Sequence, residues 1–149
     1  MRVGYCPAQG IKPNFGAGAQ MAIDYSIPVL IVDDFATVSR IMRSLLRQAG
    51  FAEVDEASDG EQALAKMRER KYGLVISDWH MAPTSGLDLL QQMKADEHLK
   101  ATPFVMVSAE EGPDKVAAAR QAGAAAYVLK PFDAQTLKSR IETALLSAA

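Results

Sequence analysis

The sequence GLVISDWHM, residues 73–81, contains a short apolar run that ends in one acid, Asp78, followed by the single tryptophan, Trp79. The run 74–77 has the length and composition of a buried strand. In parallel sheets the ligand site lies at the carboxyl ends of the strands. The segment therefore predicts a parallel sheet with a functional acid at its edge.

Strand patterns like this one recur along the chain and alternate with helical patterns. The predicted strands are 29–32, 53–57, 74–77, 104–107 and 126–129, and the predicted helices are 38–49, 60–70, 85–96, 114–122 and 134–146. Four of the five strands are nearly all apolar, as expected for parallel strands covered on both faces. Five βα units predict an α/β, doubly wound three-layer sandwich with a five-stranded parallel sheet and five helices.

Composition limits the classes of function. Of the 149 residues, 49% are hydrophobic and 23% are charged, and the formal net charge is -2. This charge argues against a nucleic-acid-binding protein, and no apolar run approaches the roughly 18 residues of a membrane span. The single cysteine, Cys6, can form no internal disulfide, which fits a reducing compartment. We expect a cytoplasmic domain that binds neither nucleic acid nor membrane.

The first residues differ from the rest in composition. Residues 1–20 contain four glycines and two prolines and show no helical or strand periodicity. We expect residues 1–25 to be a disordered lead-in, with Met21 as a candidate true start, and residues 26–149 to form the folded domain. A short ordered arm that packs on the domain is the alternative.

Polar side chains follow four of the predicted strands. They are Asp33 and Asp34 after the first strand, Asp78 after the third, Ser108 after the fourth and Lys130 after the fifth. Because parallel strands end at one edge of the sheet, these side chains should converge. Taken singly, an aspartate pair is often a helix N-cap, and a lone serine or lysine is usually structural. Their placement at four strand ends favours a shared site.

Three neighbouring carboxylates favour a hard cation and phosphoryl chemistry. At about 4 Å a like-charge pair costs roughly 4 kcal/mol at an effective dielectric near 20, so the cluster should raise its pKa values or bind a cation. Oxygen ligands favour Mg²⁺, or Mn²⁺, over zinc. An aspartate can become phosphorylated as a nucleophile, with Lys130 and Ser108 supplying charge and a donor to the phosphoryl oxygens.

These motifs resemble response-regulator receiver domains, and among them the stand-alone chemotaxis regulators of the CheY type. The resemblance covers roughly residues 28–146. It is carried by VDDF, GLVISDWHM, VSAE and QAGAAAYVLKPF, and by spacings of 45, 30 and 22 residues between Asp33, Asp78, Ser108 and Lys130. It implies a flavodoxin-like fold with strand order 2-1-3-4-5.

The resemblance also implies the chemistry of the acid cluster. Asp78 would be the phosphoacceptor for a histidine kinase of the CheA type. Asp33, Asp34 and Asp78 would hold Mg²⁺, with the backbone carbonyl of His80 as a further ligand. The domain would catalyse only its own phosphorylation and dephosphorylation, so we expect a signalling switch rather than an enzyme.

The switch residues follow from the same resemblance. Ser108 would bond the phosphoryl group and shift inward, and Lys130 would pair with that group, with a cis bond to Pro131. Tyr127 would turn from exposed to buried; an ordinary half-buried strand tyrosine is the alternative. The shift would alter the face of the fourth helix, fifth strand and fifth helix. A flagellar switch protein or another target would bind that face, and a phosphatase would be a further partner. The chain would be a monomer.

The chain departs from the family pattern in the loop after the third strand. Met81 and Ala82 replace the usual Met-Pro, with Pro83 one residue late, and Ser85 replaces the usual acid before Gly86. These changes can reshape the loop but remove no predicted metal or phosphoryl residue.

Two further residues stand where water would approach the phosphoryl group. His80 and Glu110 lie two residues after Asp78 and Ser108. We hypothesise that their side chains set the lifetime of the phosphoryl group.

Three alternatives remain open at this stage. A receiver domain can instead serve as a phosphate sink or relay intermediate without motor binding. A haloacid-dehalogenase-type phosphatase requires Asp-x-Asp, whereas Asp33 and Asp34 are adjacent. A flavodoxin-like cofactor binder requires a phosphate-binding loop, where two aspartates would repel an anion.

Overall fold

The computed structural model describes residues 23–109 and 112–147, in which five strands alternate with five helices. The elements are β1 Val29–Val32, α1 Ala36–Ala49, β2 Val54–Ala57, α2 Gly60–Glu69, β3 Leu74–Asp78, α3 Gly86–Lys94, β4 Phe104–Ser108, α4 Pro113–Ala122, β5 Ala126–Leu129 and α5 Ala134–Ser147. Most of the expected lead-in lies outside the described residues. At its end, the Tyr25 ring packs against Phe51 with centroids 4.9 Å apart. No helix within the described ranges is long and apolar enough to cross a bilayer.

The five strands form one parallel sheet in the order β2-β1-β3-β4-β5, which confirms the predicted fold. The sheet register aligns the strand ends. Val32 pairs with Ser77, so the next residues, Asp33 and Asp78, are neighbours across β1 and β3. The register thereby brings together acids that are 45 residues apart in the sequence.

Two hydrophobic clusters cover the two faces of the sheet. Leu30 and Val32 of β1 belong to the cluster that includes α2 and α3, whereas Val29 and Ile31 belong to the cluster that includes α1 and α5. All four β1 residues are fully buried. This is the pattern of a strand with helices on both faces, because successive side chains point to opposite sides.

Three predicted strand boundaries are wrong by one residue. The second strand begins at Val54 instead of residue 53, and β3 and β4 extend to Asp78 and Ser108. The two extensions follow from backbone pairing: Asp78 pairs with Val107, and Ser108 pairs with Leu129. The backbones of two candidate site residues are consequently fixed by the sheet itself instead of by loops.

Candidate functional site

Asp33 is a buried acid held by backbone contacts at the end of β1. Its backbone N–H donates to Ala57 O at 3.1 Å, and its Oδ1 accepts from the Phe35 N–H at 2.9 Å. Its side chain is fully buried, and Oδ2 has no hydrogen-bond partner among the described residues. Burial raises the pKa of Asp33, the hydrogen bond from Phe35 opposes this effect, and the neighbouring Asp78 charge adds to it.

Lys130 connects the two buried acids. Its Nζ lies 3.1 Å from Asp78 Oδ1 and 3.8 Å from Asp33 Oδ2. Its backbone N–H donates to Ser108 O at 2.8 Å, which fixes the start of the lysine side chain beside β4. The Lys130–Pro131 bond is cis, as expected from the sequence. Ser108 itself is fully buried at the end of β4.

The three predicted metal-binding acids come together. One carboxylate oxygen from each of Asp33, Asp34 and Asp78 lies within 4.8 Å of the others. Asp33 and Asp78 are buried, whereas Asp34 is exposed and faces the solvent side of the cluster. An all-oxygen set that includes one buried carboxylate oxygen, Asp33 Oδ2, with no hydrogen-bond partner in the described part of the chain fits a hard divalent cation such as Mg²⁺.

Trp79 links the end of β3 to two other elements. Its backbone N–H donates to Val107 O at 2.9 Å, and its ring is almost fully buried. The half-buried Tyr127 ring meets it edge-on, with centroids 6.3 Å apart, and Lys115 Nζ of α4 lies 5.2 Å from the centroid of the indole. The residue after Asp78 is therefore in contact with both α4 and β5, and its fluorescence should report changes there.

The loop after β3 keeps a close backbone approach despite its unusual sequence. The Gly86 N–H donates to Trp79 O at 2.8 Å, and a Cβ added at Gly86 would overlap the carbonyl oxygen of Asp78. Ser85 begins α3 with a capping box, in which its hydroxyl accepts from the Asp88 N–H at 3.1 Å. The serine therefore supplies a cap at the position where the family usually has an acid.

The remaining predicted residues have different outcomes. His80 is exposed, with its ring 6.5 Å from that of Trp79, and its role as a carbonyl ligand or lifetime residue stays a prediction. Glu110 lies outside the described residues. The sequence did not predict the contact of Lys115 with Trp79, and its only signal for this contact was the place of Lys115 in the first turn of α4. Nor did the sequence predict that Phe35, directly after the two acids, is 64% exposed.

The family described as response regulator receiver domain matches residues 29–142, and the chain belongs to this family. Its fold is that of a CheY-like receiver domain, as the sequence motifs predicted. The chemotaxis protein CheY of Pseudomonas aeruginosa is 46% identical over 114 residues, which cover 76% of this chain and 92% of that protein. CheY-3 of Vibrio cholerae is 41% identical over 120 residues, covering 80% and 92%.

Solved structures agree with this assignment. A structure described as a putative response regulator from Chloroflexus aurantiacus has a TM-score of 0.77 at 31% identity, covering 81% of this chain and 98% of that chain. The chemotaxis protein CheY4 of Vibrio cholerae has a TM-score of 0.75 at 31% identity, covering 80% and 99%. The phosphatase and cofactor-binding alternatives would require other families, so we set them aside.

Proposed function

We propose that this receiver domain is a response regulator phosphorylated on Asp78 by a histidine kinase. The observation that carries the proposal is the position of Lys130, whose Nζ is 3.1 Å from Asp78 and 3.8 Å from Asp33. This single cation lies beside both buried acids and places a donor next to Asp78 that is able to contact an incoming phosphoryl oxygen.

The proposed reaction is a phosphoryl transfer from nitrogen to oxygen. A carboxylate oxygen of Asp78 attacks the phosphorus of a phosphohistidine, a P–O bond forms, and the P–N bond breaks with its electron pair going to the imidazole nitrogen. Lys130 then pairs with the phosphoryl oxygens, and the Ser108 hydroxyl donates to one of them.

Asp33, Asp34, Asp78 and the backbone carbonyl of His80 would hold Mg²⁺. When bound, Mg²⁺ supplies positive charge to the transferring group. The chain's own contribution is to keep Asp33 buried and fixed by the Phe35 N–H, so that the acid cluster needs little rearrangement to accept a cation.

The output surface in this proposal is the face of α4, β5 and α5. A groove of about 370 Å³ opens there, lined by residues that include Val116, Arg120, Tyr127, Leu129, Phe132 and Arg140. The 40% exposure of Leu129 offers apolar contact area, and the lining also carries two arginines and one carboxylate, that of Asp133. Tyr127 lines the groove and also touches Trp79, which gives a physical route from Asp78 to this face.

We propose a flagellar switch protein as the target on this face, because relatives at 41% and 46% identity are named chemotaxis proteins. In this proposal the protein is a cytoplasmic, monomeric switch that acts on no free substrate. Its phosphoryl group is lost through its own autodephosphorylation or with the help of a phosphatase.

Trp79 provides the test of phosphorylation. We expect Mg²⁺ to change its fluorescence in the wild type, and beryllofluoride or acetyl phosphate to cause a further, Mg²⁺-dependent change that Asp78→Asn abolishes. Mass spectrometry after acetyl phosphate treatment should find one added phosphoryl group in the wild type only. Absence of that group in the wild type, or its presence in Asp78→Asn, would contradict the proposal.

A second measurement separates a motor-binding regulator from a phosphate sink. Calorimetry with the purified switch protein should show tighter binding of the beryllofluoride-loaded domain than of the untreated domain, with loss of that gain in Leu129→Ser. Identical binding of the two forms would favour the sink or relay alternative.

A further inference from the structure

A second groove lies along α1, next to the edge strand β2. Its lining, here called the α1–β2 groove, consists of Arg40, Arg43, Ser44, Arg47, Gln48 and Glu56, and its volume is about 630 Å³. The sheet order places β2 at the edge opposite β5. This groove is therefore separate from the α4–β5–α5 face.

The groove carries uncompensated positive charge. Three guanidinium groups line it with a single carboxylate, Glu56, whose Oε2 is 2.9 Å from Arg43 Nη1. Arg40 and Arg47 are exposed and lie within ion-pair distance of no carboxylate among the described residues. Arg43 Nε is also buried without a hydrogen-bond partner in the described part of the chain. The chain as a whole has a net charge of -2, so this positive patch is opposite in sign to the net charge.

The arginines are arranged along a line. Positions 40, 43 and 47 follow the i, i+3, i+7 spacing of one helix face and span about 10 Å along the helix axis. A compact anion would contact one end of this row, whereas a row of carboxylates could engage all of it, since the guanidinium fork matches a carboxylate.

We propose that the α1–β2 groove docks an acidic helix of a partner protein, with carboxylates spaced at i, i+3 or i+4, and i+7. A nucleic acid is disfavoured because the row is short and the surrounding protein is acidic. The inference rests on the groove alone and does not depend on phosphorylation of Asp78.

The test uses a fluorescein-labelled synthetic peptide of about 16 residues, about 24 Å long as a helix, with glutamates at the stated spacing. We expect saturable binding by fluorescence anisotropy at low salt, weakening as salt is raised. Arg40→Glu/Arg47→Glu should weaken it by about tenfold or more, because like charges would then face each other. A peptide with lysines in place of the glutamates should not bind.

The matched control is Arg68→Glu/Lys138→Glu, which makes the same charge change at two exposed positions that line neither groove and should leave peptide affinity within about twofold of the wild type. Circular dichroism should show that both double variants keep wild-type helix content, since glutamate is a good helix former. Three results would overturn the proposal: no saturable wild-type binding below about 1 mM, equal loss in both double variants, or tighter groove-dependent binding of a DNA duplex than of the peptide.

Discussion

Asp33→Asn should stabilise the fold in the absence of metal and remove most of its stabilisation by Mg²⁺. Asp33 is 2% exposed, and its Oδ2 lacks a hydrogen-bond partner among the described residues. Asparagine keeps the side-chain volume and an oxygen that can accept from the Phe35 N–H, so the substitution removes charge with little change in packing.

The size of the stabilisation expected for Asp33→Asn follows from the charges around Asp33. At 4.8 Å, the upper limit of the separation from an oxygen of Asp78, two carboxylates repel by about 3.5 kcal/mol at an effective dielectric near 20. Lys130 at 3.8 Å attracts Asp33 by about 4.4 kcal/mol on the same scale. These terms nearly cancel and leave the extra cost of burying a charged carboxylate instead of a neutral amide, which is on the order of 1–3 kcal/mol. We expect the free energy of unfolding of Asp33→Asn to exceed that of the wild type by this amount. Each kcal/mol corresponds to a Tm increase of about 3–5 °C for a domain of this length.

The pH dependence of this gain has a defined sign. Because burial raises the pKa of Asp33 above its ordinary value of 3.8, the folded state binds a proton more readily than the unfolded state. The destabilising effect is therefore complete above the raised pKa and fades as the pH falls through it towards 3.8. The stability difference between Asp33→Asn and the wild type should shrink over the same interval.

Thermal unfolding followed by circular dichroism, in EDTA and in excess Mg²⁺, measures both effects. Asp34→Asn is the matched control: its acid is exposed, so it should change the Tm in EDTA less while still weakening the Mg²⁺ response. A lower Tm of Asp33→Asn than of the wild type in EDTA would refute the reasoning, as would an unchanged Mg²⁺-induced Tm shift.

Two further predictions concern the rim of the site. Gly86→Ala should cost about 1–3 kcal/mol and weaken Mg²⁺ binding, since the new Cβ would displace the carbonyl of Asp78. Gly112→Ala, where a Cβ meets nothing within 4 Å, should cost less than about 1 kcal/mol, and equal Tm losses in the two variants would contradict this reasoning. His80→Ala should change the decay rate of the aspartyl-phosphate, because the exposed imidazole lies two residues from Asp78. An unaltered decay rate, measured after removal of the phosphodonor, would show that the side chain has no such role.

The sequence by itself determined the order of elements and the members of the acid site. Apolar runs of strand length alternate with helical periodicity, and both are local patterns that follow from which faces of an element must be buried. The rule that parallel strands share one carboxyl edge then assigned Asp33, Asp78, Ser108 and Lys130 to one place. The family resemblance added the strand order, which local pattern alone does not give.

Tertiary structure decided what each side chain experiences. Asp33 and Asp34 are adjacent in the sequence and both belong to the acid cluster, yet one is buried and the other exposed, because the turn after β1 directs only the first into the protein interior. The contact between Lys115 and Trp79 joins residues 36 positions apart and depends on how α4 packs beside the sheet. The α1–β2 groove likewise depends on the pairing of β1 with β2, which brings Glu56 into contact with Arg43 of α1. The burial of these polar side chains, the distances between them and the charge around them arise from packing between distant segments, and local periodicity does not specify them.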